Sequence, residues 1–286
     1  MVVVHVKYGQ EDEFLFETTC GESCDSLIRE LVRINNRRAQ IAFLCGALRD
    51  LAKHGPAKPV DDQGCDDLKE KYESAVIEKS PNYEADPGGM RTGNGVGEQL
   101  SKVFEDVCLE AERYVSRDQV RARRALTMEA LDDKLANMRG AVTMAYPMGL
   151  PKWDVVFSAL ESVRGLSGTH AQSAILEEAT AQLWCAGKEF QRNQTVGDRL
   201  GTKNEKTKVV AKLQKPNAGP PAREPVVSEE ERKAMMAHYF KRQEELKALA
   251  EADDDDYLHS PWADPKALKN SLQGFKGTIR APGVRR

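Results

Sequence analysis

A few clusters hold residue types at spacings that could do chemistry. Gly93, Gly95 and Gly97 stand just before a helical pattern, where backbone amides and a helix dipole bind phosphate. A nucleotide loop would also need a preceding strand and a closing Gly-Lys-Ser/Thr; position 98 is Glu, so the glycines read as a flexible linker. Cys20 and Cys24, with Cys45, Cys65 and His54, are zinc-ligand types, but no second close pair follows the first. No metal or cofactor is expected. His170 lies near Ser167 and Thr169, and His259 precedes Ser260, yet nucleophile and base meet in space rather than in sequence, so capping and surface roles are the expectation. The acidic run 253–256 lacks the spaced oxygens and the Gly of a calcium loop and reads as solvated charge. No catalytic residue emerges from these clusters.

Two other features suit binding. Met235, Tyr239, Leu246 and Leu249 form a narrow apolar stripe on a charged helical pattern, and Tyr257 and Trp262 follow it as aromatic anchors. Basic residues gather at Lys203, Lys206, Lys208 and Lys212 and again at Lys276, Arg280, Arg285 and Arg286, a surface suited to acidic partners such as tubulin tails. The whole chain has 42 basic against 45 acidic side chains and a net charge of −3, and it shows no zinc finger or RNP-like strand, which argues against nucleic acid. No run nears the roughly 18 apolar residues of a membrane span, and the start lacks a signal-peptide pattern, so an intracellular chain with reduced cysteines is expected.

The elements that must position these residues follow from periodicity. Val2, Val4 and Val6 alternate with Val3, His5 and Lys7, and a Gly9 turn leads to a second run at 14–18: a hairpin. A helical pattern from Ser23 and another from Ile41 come next, giving a ubiquitin-like start. Helices are expected from Leu100 to Val115 and from Met128 to Ala145. A further helix is expected from Thr169, with Ile175, Ala179, Leu183, Ala186 and Phe190 on one stripe. Prolines 216, 220, 221 and 225 end the folded body. The expected class is α+β: a ubiquitin-like unit with its loop over 1–85, a Gly-rich linker over 86–97, a helical domain over 98–215 and an extended arm over 216–286 with one long helix and a basic tail.

The blocks Tyr146-Pro-Met-Gly-Leu-Pro151, Leu166-Ser-Gly-Thr169, Ala181-Gln-Leu-Trp184, Lys203-Asn-Glu-Lys-Thr-Lys208, Pro221-Ala-Arg-Glu-Pro225, Arg242-Gln-Glu-Glu-Leu-Lys247 and the run from Asp254 to Asp264 resemble, in order and spacing, the Kurly family of cilia- and flagella-associated proteins. The first half is similar more thinly, through Val3 to Lys7, Leu51 to Gly55 and Arg139 to Val142. This resemblance implies a non-enzymatic protein of motile cilia, present in cytoplasm and at the axoneme or basal body and needed for cilium movement and outer dynein arm assembly. It implies dynein-arm assembly factors or axonemal complexes as partners. Two readings stay open: an adaptor for assembly, or a permanent axonemal component bound to microtubules or dynein complexes.

Overall fold

The computed structural model describes residues 1–8, 12–64, 80–201, 204–216, 218–221 and 229–251, with positions 266, 269 and 272. The chain forms two units, Met1–Ala222 and Arg223–Arg286. β1 (Val2–Tyr8) and β2 (Asp12–Thr18) form the expected antiparallel hairpin, with Val4 opposite Phe16 and Val6 opposite Phe14. Alternation puts Val2, Val4, Val6 and Phe14 on the buried face. The expected turn at Gly9 lies outside the described residues.

A single 31-residue helix, α1 (Cys24–His54), stands where two helical runs were expected; the Ser23 hydroxyl caps it by accepting the Ser26 amide at 3.1 Å. The polar stretch 35–40 interrupts the apolar stripe but contains no Gly or Pro, so the backbone continues. Its side chains are used as ties. Asn35 donates to the Ala174 carbonyl, Asn36 exchanges two bonds with Leu176, and Gln40 donates to the Ala159 carbonyl. Arg38 lies 5.0 Å from the Phe14 ring centre and donates to the Val115 carbonyl.

The described residues between 55 and 181 build a helical layer on α1. It contains α2 (Glu98–Val115), a short α3 (Asp118–Arg121), α4 (Met128–Ala145) and α5 (Val155–Glu161). Cys45 on α1 and Cys108 on α2 each donate a thiol hydrogen to the other's carbonyl, at 3.7 and 3.6 Å. One turn further along α1, Arg49 holds both Glu105 and Glu112.

After this layer the chain returns to the sheet. β3 (Gln182–Cys185) and β4 (Lys188–Glu189) form a hairpin, α6 (Val196–Leu200) follows, and β5 (Lys208–Gln214) inserts between β1 and β3. The order is β2-β1-β5-β3-β4, with β5 parallel to β1 and antiparallel to β3. This strand order, with apolar residues of α1 in the same core as the sheet, is the ubiquitin-like arrangement within an α+β fold.

Two expectations change. The helix expected from Thr169 is a 3-10 turn (His170–Ala174) followed by the β3–β4 hairpin. Ala186 and Gly187 take φ of 50° and 74°, the backbone of a two-residue hairpin turn; Leu183 is buried from β3 and Phe190 from just after β4, its amide donating to the Leu183 carbonyl at 2.8 Å. The basic stretch 203–215 contributes the central strand: Val209, Ala211 and Leu213 are buried while Lys208 and Val210 face out. One continuous core runs from Val2 and Leu27 through Phe104, Leu131 and Val156 to Leu183 and Leu213. The ubiquitin-like sheet and the helical layer therefore share their interior, and the divisions expected at 85 and 97 do not separate them.

Candidate functional site

The final helix, α7 (Glu229–Glu251), has every sequence property of a helix and none of a core element. It is rich in Glu, Ala, Lys, Met and Leu, lacks Gly and Pro, and opens with Glu229, Glu230 and Glu231 at the positive end of its dipole. The expected stripe is exposed: Met235 keeps 64% of its surface, Tyr239 61%, Leu246 58% and Leu249 72%. Met236 and Phe240 are exposed beside it and widen the apolar band at its N-terminal end; Phe240 meets the Tyr239 ring edge-on with centres 6.3 Å apart. Sequence reading passed over these two because each lies one residue off the narrow stripe. Full burial of such a side chain contributes about 1.5–3 kcal/mol, so the face holds a large unspent drive to pack. Tyr257 and Trp262 lie outside the described residues.

The basic residues divide. Lys208, exposed, and Lys212, half-buried and with an interaction partner, lie on the outward side of β5, and Lys206 is exposed just before the strand. Lys203, Lys276, Arg280, Arg285 and Arg286 lie outside the described residues. β5 thus carries its lysines because a central strand must present alternate residues to the outside, with Val210 among them at 49% exposure.

The residues weighed for chemistry serve the fold. Gly93, Gly95 and Gly97 are not a free linker: the Gly93 amide donates to the His54 carbonyl at 2.8 Å and the Val96 amide to the Ala52 carbonyl at 2.9 Å, satisfying the last turn of α1. A Cβ on Gly95 would strike the Lys53 carbonyl, which explains the glycine there. The Thr169 hydroxyl donates to the Leu166 carbonyl and the Ser173 hydroxyl to the His170 carbonyl, while the His170 ring packs 5.5 Å from Phe43. Cys20, Cys24 and Cys45 are buried, and burial pushes the Cys24 thiol up. Among the described residues no group of three or more His, Cys, Asp or Glu could hold a metal ion. Among them, too, no helix is long and apolar enough to cross a membrane. Cys65, His259 and the acidic run 253–256 lie outside the described residues.

An open cleft of about 810 Å³ takes Arg33, Arg37 and Arg164 among its lining. Two of these are neutralised, Arg33 by Glu178 at 3.1 Å and Arg37 by Asp132 at 2.9 Å, so the cleft is no dedicated anion site. A second hollow of about 610 Å³ lies against Val142, Tyr146, Pro147, Leu150 and Phe157, with Met148 almost fully exposed nearby in sequence.

The comparisons with known proteins bear on the same surfaces. The family model described as cilia- and flagella-associated protein 298 matches residues 181–278, a span that runs from β3 through β5 and α7. Curated relatives of that name align along nearly the whole chain. The Danio rerio protein is 42% identical, covering 96% of this chain and 97% of its own. The Homo sapiens protein is 41% identical over 96% and 98%, and the Drosophila melanogaster protein 36% over 96% and 97%. The chain belongs to the cilia- and flagella-associated protein 298 family. No solved structure matches it. Membership gives the chain a cilium-related role, and the matched span includes the two features read as binding surface, the outward lysines of β5 and the bare stripe of α7.

Proposed function

We propose that this chain is a non-enzymatic adaptor that acts in the assembly of outer dynein arms and thereby in cilium movement. It works in the cytoplasm and at the motile cilium. The folded unit Met1–Ala222 is its stable body, and α7 with the Tyr257 and Trp262 peptide is the segment that docks on dynein-assembly factors or an axonemal complex. The observation that carries this reading is the apolar stripe of α7, exposed along its length in a member of a cilium-associated family. A charged helix of 23 residues gains little from propensity alone and is built to pack on something else.

Leu246→Asp with Leu249→Asp in motile ciliated cells is expected to abolish partner capture and reduce outer dynein arms and beat frequency, with the protein still recovered folded. Tyr257→Ala with Trp262→Ala is expected to do the same. Normal arms and beating in both variants would overturn the docking assignment. Fractionation separates the adaptor from a resident axonemal component: recovery mainly in detergent-soluble cytoplasm agrees with the adaptor, and retention on salt-washed axonemes refutes it.

A further inference from the structure

Met235, Tyr239, Arg242, Leu246 and Leu249 follow one another at intervals of four, three, four and three residues, and stepping back three more reaches Arg232. That is a heptad seam, the row a helix presents to a coiled-coil partner. All six residues are exposed, and two of the six are arginines. Among the described residues neither Arg232 nor Arg242 makes an ion pair, although Glu230, Glu244 and Glu245 lie on the same helix.

From this geometry we propose that α7 is one helix of a heteromeric coiled coil, and that its partner helix carries an apolar seam with acidic side chains facing Arg232 and Arg242. The inference rests on the adaptor reading and names the chemistry of the partner. A second copy of the chain does not fit the seam. A parallel pair in register sets Arg232 against Arg232 and Arg242 against Arg242, and like charges in a seam repel. An antiparallel pair sets Arg232 beside Leu249 and Arg242 beside Tyr239, and again supplies no carboxylate. The arginines therefore disfavour self-association and favour a partner with acids at those two levels, the way polar seam residues set partner choice in coiled coils. Guanidinium suits that task because it pairs with a carboxylate through two parallel N–H donors.

The test uses the full chain and two designed helical peptides of matching length. Both have leucine at the other seam positions; one has glutamate and the other lysine at the two positions facing Arg232 and Arg242. By fluorescence anisotropy the glutamate peptide is expected to bind at least about tenfold more tightly than the lysine peptide, a margin that shrinks as salt rises. Arg232→Leu with Arg242→Leu is expected to erase the preference and to turn a monomeric chain into a self-associating one by sedimentation velocity. Equal affinity for the two peptides, no binding of either, or self-association of the unaltered chain at micromolar concentration would overturn the seam. Peptide preference combined with normal cilia in the Leu246→Asp, Leu249→Asp variant would keep the seam and refute the adaptor. Loss of dynein arms in that variant without peptide preference would do the reverse.

Discussion

Asp154 is fully buried and holds three segments together. Its carboxylate accepts the Ala57 amide and the Val156 amide, each at 2.9 Å, and lies 3.5 Å from the Arg91 guanidinium. The first bond fixes the chain leaving α1, the second caps α5, and the third reaches the Gly-rich segment. Asp154→Ala would leave a mostly buried cation and two amides without their acceptor, so a loss of about 3–5 kcal/mol in unfolding free energy is expected by urea titration. His5 makes a second test at this scale. Burial holds its pKa below the usual 6.5, against the opposing hydrogen bond and charge of Glu13 at 3.0 Å. Glu13 is itself held low: burial alone would raise it, but hydrogen bonds from Arg117 and His5 outweigh that. A neutral imidazole donating to a carboxylate satisfies both shifts. Since the unfolded chain takes up the His5 proton first, stability from this group is complete above about pH 6.5 and declines as pH falls below it. His5→Gln is expected to flatten that part of the stability profile, measured by chemical denaturation at pH 7.5 and 5.5.

At the scale of elements, the N-terminal hairpin was legible because Val2, Val4 and Val6 alternate plainly, and α2 and α4 because their apolar residues return at the helical period. The later strands were not. Ile175, Ala179, Leu183, Ala186 and Phe190 fit a helical spacing, and the deciding signal was local: Ala186-Gly187 takes left-handed backbone that a helix cannot hold. In β5 the lysines read as charge, while the alternating Val209, Ala211 and Leu213 carried the strand. A partner strand 205 residues earlier, Val3 opposite Lys208, decides that β5 is central, and periodicity cannot report it. The candidate site was legible for a different reason: four residues of α7 repeat locally, and their exposure follows from the charge around them, whereas Met236 and Phe240 had no such regularity. Because β5 lies between β1 and β3, a fragment ending at residue 97 lacks the middle of its own sheet. Such a fragment is expected to show no cooperative urea transition, while residues 1–222 unfold in one; a cooperative transition in the short fragment would show that the hairpin and α1 close a core without β5.

For the whole molecule, the buried core and the exposed apolar stripe fall on different stretches of the chain. Among the described residues, every buried apolar side chain lies between Val2 and Leu213, and α7 contributes none. The family match at residues 181–278 begins at the strands that close the core and continues through α7. Leu183 of β3 and Val209, Ala211 and Leu213 of β5 are buried in the sheet, so substitutions there are expected to act through stability, whereas the exposed stripe of α7 contributes nothing to that core. Removing residues 223–286 should accordingly leave the melting temperature of the remaining chain within about 2–4 °C of the full protein, since a shift of that size corresponds to only about 1 kcal/mol in a domain of this length. The same truncation is expected to abolish partner capture and to fail to restore beating in cells lacking the full chain. A truncated protein that melts far lower would place part of the core's support in the arm; one that restores beating would move the binding surface onto the body, where the apolar hollow at Tyr146, Leu150 and Phe157 would become the surface to alter next.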